Sequence, residues 1–164
     1  MFRSIAALII VLLCGAPAAA QTPPDDRAAL LTKTWTCRTD AGSIVRDTGV
    51  AGATRLTVSH AVTPRTGDPY TLTDTYEWDS AHGLWRVVLG GGSPLEFVAD
   101  APPWTGSTWQ FDGRSGPGLA TRVRIELVAD GNLRRTFLKQ MPDGAYMGVS
   151  SSLCAPGDTP PPAP

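Results

Sequence analysis

The chain has 164 residues, 14 basic against 15 acidic, a formal charge of −1 and 42% apolar side chains. That length suits one domain of ordinary size, and a near-neutral charge with no block of like sign argues against nucleic acid or an anionic membrane as the main partner.

Arg3, the apolar run Ile5 to Leu13 and the small residues from Gly15 to Ala20 have the pattern of a secretory signal peptide over residues 1–20, with Gln21 expected to begin the mature chain. The run is too short to cross a bilayer, and no later run approaches the ~20 apolar residues of a spanning helix, so no membrane span is expected in the mature chain. Val11-Leu12-Leu13-Cys14 offers an alternative, a lipid anchor on Cys14, although Leu13 stands where a small residue is wanted. The expected location is secreted or periplasmic. Cleavage leaves Cys37 and Cys154 in an oxidising compartment, where one pair permits one intramolecular disulfide; two free thiols are the alternative. Closing so long a loop stabilises a fold by about 4–5 kcal/mol on chain-entropy reasoning.

After Thr22-Pro23-Pro24, Asp25 or Asp26 is a candidate N-cap for a short helix over Arg27 to Leu31. Beyond it, runs rich in Thr, Val, Ile, Trp, Tyr and Leu are separated by clusters of Gly, Pro, Asp and Asn, the rhythm of an all-β domain. The expected strands are Thr34–Thr39, Ser43–Thr48, Thr54–Val62, Tyr70–Trp78, Leu84–Leu89, Leu95–Ala99, Ser107–Phe111, Thr121–Val128, Leu133–Lys139 and Tyr146–Leu153. Asp79 to Gly83, Ala129-Asp130-Gly131-Asn132 and Pro142-Asp143-Gly144 are hairpin connections, so neighbours in sequence are expected to pair. Alternation sets Val123, Ile125 and Leu127 against Arg122, Arg124 and Glu126, and Leu56 and Val58 against Arg55, Thr57 and Ser59. In Tyr70–Trp78 it puts Tyr70, Leu72, Asp74, Tyr76 and Trp78 on one face, which fits either a lined cavity or a core holding one satisfied Asp. An antiparallel meander hides its edges by closing into an up-and-down barrel. Cys37 in the first strand and Cys154 at the end of the last would then lock the seam, although a two-sheet sandwich could also bring them together. The domain is expected over residues 21–154, with the Pro-rich tail, 155–164, disordered or extended.

Leu30-Leu31-Thr32-Lys33-Thr34-Trp35-Thr36-Cys37 resembles the start of calycin-type barrels such as lipocalins and nitrobindins. Together with Tyr76-Glu77-Trp78-Asp79, Trp85 and Cys154, it is similar to a loose group of uncharacterised secreted bacterial proteins with a lipocalin-like barrel. The likeness covers roughly residues 28 to 154 and implies a fold rather than an activity. Lys33 stands where lipocalins place Gly, and both histidines lie in the N-terminal half, away from the late His that holds haem in nitrobindin-like barrels. The resemblance also implies a late Arg, Arg134 or Arg135, packed on Trp35.

His60 and His82, with no ligand-spaced Cys or acid cluster beside them, make no metal first shell; both are expected as exposed polar residues, His82 in a turn and His60 at a strand end. There is no Gly-x-Ser-x-Gly elbow, Gly90-Gly91-Gly92-Ser93-Pro94 lacks the Lys and helix of a phosphate loop, and Asp74 and Glu77 fall on opposite strand faces, so no catalytic residue and no cofactor is nominated. Two functions come first, with an enzyme third for want of a nominated acid. One is a non-catalytic binder of a small apolar or amphipathic ligand lined by Asp74, Tyr76, Trp78, Trp85 and Arg135, with Asp74 or Arg135 orienting the polar end. The other is an interaction or inhibitor module that meets a protein partner through Gly90–Pro94 and Ala101–Gly106, where Trp104 on its Pro-Pro support is the contact candidate, the alternative being a loop Trp folded back over the barrel end as a plug.

Overall fold

The computed structural model describes residues 26–115 and 120–162; the expected signal peptide and Cys14 lie outside them. Ten strands follow in order: β1 (Trp35–Thr39), β2 (Ile44–Ala51), β3 (Arg55–Thr63), β4 (Tyr70–Asp79), β5 (Leu84–Leu89), β6 (Phe97–Ala101), β7 (Thr108–Ser115), β8 (Arg122–Leu127), β9 (Leu133–Gln140) and β10 (Tyr146–Pro156). Each pairs antiparallel with its neighbours in sequence, and β1 also pairs with β10, so the sheet is a closed up-and-down barrel rather than a sandwich. Alternation does the rest. On β3 it buries Leu56, Val58, His60 and Val62 and turns the intervening residues outward. The β8–β9 connection uses Asp130 and Gly131 at positive φ, 63° and 74°, the geometry that makes Asp-Gly a tight-turn signal. β6 starts at Phe97 rather than Leu95 because Ser93 turns the chain just before it: its N–H and Oγ–H both donate to the Gly90 carbonyl, and its Oγ accepts from Leu95 N–H.

One barrel end is plugged. The expected helix is instead a single 3₁₀ turn, Arg27–Thr32, capped by Asp26 and followed by extended Lys33. It buries Ala28 and Leu31 and presses on β2 at Gly49, where an added Cβ would lie 2.0 Å from the Leu31 carbonyl oxygen, so only glycine fits. Asp26 ties the plug to the barrel: one carboxylate oxygen accepts from Ala28 N–H (2.8 Å) and Trp104 N–H (3.1 Å), the other from the Trp85 indole. Trp104 is fully buried and stacks on Trp109 (5.7 Å, 7°), so the loop Ala101–Gly106 folds back over the barrel end. Of the two readings of Trp104, the structure has the plug, and the loop-contact expectation is corrected. The Trp109 indole N–H donates to the Pro102 carbonyl at 2.6 Å, which ties this loop to the ring stack beneath it.

The seam between β1 and β10 is held on both faces. Cys37 and Cys154 stand directly opposite each other in the ladder and form the disulfide. Outside, the described tail residues, 155–162, bend at 157–159 and are attached. β10 runs on through Ala155 and Pro156, Gly157 N–H donates to the Thr34 carbonyl (2.9 Å), the Thr36 hydroxyl donates to the Gly157 carbonyl (2.6 Å), and Arg38 Nε donates to the carbonyl of buried Pro161 (3.0 Å). Arg46 pairs with Asp158 across the same face at 2.6 Å.

Intact mass is expected to rise by about two units on reduction of the denatured chain, with digestion assigning the link to Cys37 and Cys154. Replacing both by Ser should cost about 4 kcal/mol and lower Tm by roughly 10 °C, read by calorimetry. Asp26→Ala leaves three N–H groups without their acceptor and should cost about 2–3 kcal/mol in urea unfolding, with a change in the near-UV tryptophan signal.

Candidate functional site

The other barrel end is open. Behind it lies a cup of about 460 Å³, walled by Val45, Val62, Leu72, Leu89, Phe97 and Phe137, with Ser150 to Ser152 along one side. Tyr70, Leu95 and Val149 line its mouth and are 47%, 56% and 45% exposed. Its floor is polar: Asp47 from β2, His60 from β3, Asp74 from β4 and Arg135 from β9, beside Cys37.

The ladder assembles this floor. Asp47 stands directly opposite His60 in the β2–β3 register, and Asp74, two residues past the Leu72 that faces His60, is its diagonal neighbour on β4. His60 Nδ1 lies 2.7 Å from Asp47 Oδ1, and His60 Nε2 lies 2.8 Å from Asp74 Oδ2. The second contact is bent away from a good hydrogen-bond line and acts as an ion pair. A carboxylate only accepts, so an imidazole held at both nitrogens by carboxylate oxygens is an imidazolium. Burial alone would lower the His60 pKa, but the contacts with Asp47 and Asp74 outweigh it and raise the value from 6.5 to about 9. Burial would likewise raise Asp74, yet the hydrogen bond and charge of His60, then Arg135 and the Gly90 N–H, bring it below the ordinary carboxylate range.

Gly90, the first residue of the glycine run, donates its N–H to Asp74 Oδ1 at 2.8 Å, so that run fixes a floor carboxylate. Arg135 completes the set less tightly, with Nη2 3.5 Å from Asp47 Oδ2 and Nη1 3.9 Å from Asp74 Oδ2. These distances exceed the ~2.7–2.9 Å of strong charge-assisted bonds, which leaves its N–H groups capacity toward the cup. Cys37, Asp47 and Cys154 bring donor atoms within 4.8 Å of one another, but the sulfurs are bonded to each other and are not thiolate ligands.

Of the residues expected to line a ligand, the structure brings Asp74 and Arg135 to the cup. Tyr76 lies outside it, fully buried and stacked on Trp109 at 5.8 Å, its phenol pushed up by burial and then by the charge of Asp74. Trp78 and Trp85 pack on each other at 5.4 Å, and Trp85 is tied to the plug through Asp26. Arg135 points to the carboxylates, while Trp35 donates its indole N–H to the Leu30 carbonyl; among the described residues the cation over a ring is Arg122 on Tyr146, 3.7 Å from the centroid. His82 is exposed in its turn, 2.8 Å from Asp79. His60 is not: it is 4% exposed, which corrects the reading of it as a surface residue at a strand end. Asp47 and His60 are the floor residues that sequence reasoning missed.

No protein-family model matches the chain, and no curated protein is recognisably similar to it.

His60 is more basic in the fold than in the unfolded chain, so the stability it adds is fully present below about pH 6.5 and is lost as pH rises through about 9. Asp74 works in the opposite sense, its contribution disappearing in acid as pH falls through its lowered folded value. Urea unfolding is therefore expected to show stability falling by about 3 kcal/mol from neutral pH into mild alkali, a slope that His60→Asn removes. Nitrogen NMR of the imidazole should find both ring nitrogens protonated at neutral pH.

Proposed function

We propose that this barrel is a non-catalytic, lipocalin-like binder of a small apolar or amphipathic ligand, taken in through its open end in a secreted or periplasmic setting. The observation that carries the proposal is the cup itself. Its volume falls within the ~300–1,000 Å³ of ligand sites, and its wall, largely apolar apart from Thr39, Ser43 and Ser150 to Ser152, leads from a mouth where Tyr70, Leu95 and Val149 stand exposed beside Asp40 to the charged floor. A molecule with a chain and one polar end fits that gradient, with its head toward Arg135. Both nitrogens of His60 are committed to carboxylates, which argues for binding over acid–base chemistry at that ring. The protein-partner reading is weaker because Trp104, its contact candidate, is inside the plug.

The uncharged fluorescent amphipath N-phenyl-1-naphthylamine should bind the purified, ligand-stripped protein saturably, at one site, with a blue-shifted and brighter emission. Leu72→Trp fills the wall and should abolish the signal while leaving the far-UV spectrum intact. No saturable signal, or equal binding by the Trp variant, would falsify the proposal.

A further inference from the structure

The floor carries a constraint on what the cup accepts. It holds two carboxylates, an imidazolium and a guanidinium, so its formal charges cancel among themselves. Three of the four side chains are nearly shut off from solvent: Asp47, His60 and Asp74 expose 4%, 5% and 5% of theirs, and Arg135 exposes 14%. A charge brought into such a place keeps little hydration and needs a partner of opposite sign that is still free. No floor group is free in that sense. Arg135 already faces Asp47 and Asp74, so an incoming carboxylate would be a third anion around it. An incoming ammonium would stand beside His60 and Arg135 and compete with both for the same two carboxylates.

Hydrogen-bonding capacity does remain. The Arg135 contacts of 3.5 and 3.9 Å leave N–H groups able to donate. The carboxylates are each anchored by short contacts, Asp74 by Gly90 N–H at 2.8 Å and the ion pair with His60, Asp47 by the His60 Nδ1–H at 2.7 Å. The floor therefore offers a donor without offering a net charge.

Resting on the ligand-binding reading above, we propose that the cup selects an amphipath whose head is uncharged and accepts a hydrogen bond from Arg135, such as an alcohol, an ester or an amide, over the carboxylate or ammonium of the same chain length. Specificity here is a difference in desolvation rather than in shape: the chains meet the same wall, and only the charged heads arrive without a free counter-charge.

Decanol, decanoate and decylammonium, each kept below its micelle-forming concentration near neutral pH, should be compared as displacers of N-phenyl-1-naphthylamine from the native protein. Decanol is expected to displace the probe at concentrations at least about tenfold lower than either ion. Asp74→Asn removes one negative charge from the floor, and in that variant decanoate should gain about tenfold on decanol while decylammonium gains nothing. Decanoate or decylammonium equal to or better than decanol on the native protein would overturn the inference while leaving the binding reading intact. A native protein that binds neither the probe nor any displacer would overturn both. The comparison on the native chain needs no substitution, so it decides the matter even if Asp74→Asn does not fold.

Discussion

The pairing of β1 with β10 is the constraint on which everything else depends. An open meander of this length would leave two rows of unpaired backbone groups, and it would give the side chains of one face no enclosed space to share. Closure satisfies the edges and creates an inside, and only then can four charged side chains from four strands meet away from solvent. The disulfide and the attached tail both act at this seam, one from within and one from without.

The inside is divided by chemistry along the barrel axis. At the plugged end, Trp104, Trp109 and Tyr76 stack in sequence and, like Trp35 and Trp85, are buried, so these large aromatics serve as filling. At the open end mid-sized aliphatics and phenylalanines, with Ser150 to Ser152 on one side, form a wall around a void. The charged floor is the boundary between the two. Burying such a group of charges is costly, and a hydrophobic replacement of similar volume would often be no less stable. A dry core gains nothing from it; a binding floor gains orientation of whatever enters.

Much of this was legible in the sequence, because turn residues and alternation are local signals. Asp130-Gly131 and the Val123, Ile125, Leu127 face were enough to place β8 and β9, and Cys37 and Cys154 pointed to the seam, with a two-sheet sandwich still open. The site was half legible. Asp74 could be named because it is a charge on an otherwise inward-facing strand pattern, and Arg135 came from the late Arg that the resemblance implies. His60 was readable by the same rule: the alternation that buries Leu56 and Val58 puts it and Val62 inward two and four residues later. Reading it as a strand end hid this, since β3 continues to Thr63. Asp47 lacked even that signal, because no neighbour on β2 is as fully buried and only cross-strand register brings it to His60. The aromatics misled for the opposite reason. Trp78 and Trp85 carry the right alternation, but periodicity gives the face and not the height along the barrel, and height separates plug from cup.

The position of the disulfide within the ladder has a mechanical meaning. The 3₁₀ turn leads into β1 at the plugged end, and β10 leaves from the same end, so tension applied between the two sides would load the seam as a zipper, one pair of residues at a time. Trp35–Pro156 and Thr36–Ala155 are the pairs outside the covalent link, and Cys37–Cys154 is the next. A pull would therefore open a short stretch and then stop at a bond that does not yield to hydrogen-bond forces, with the cup and its mouth, farther along the same strands, still closed.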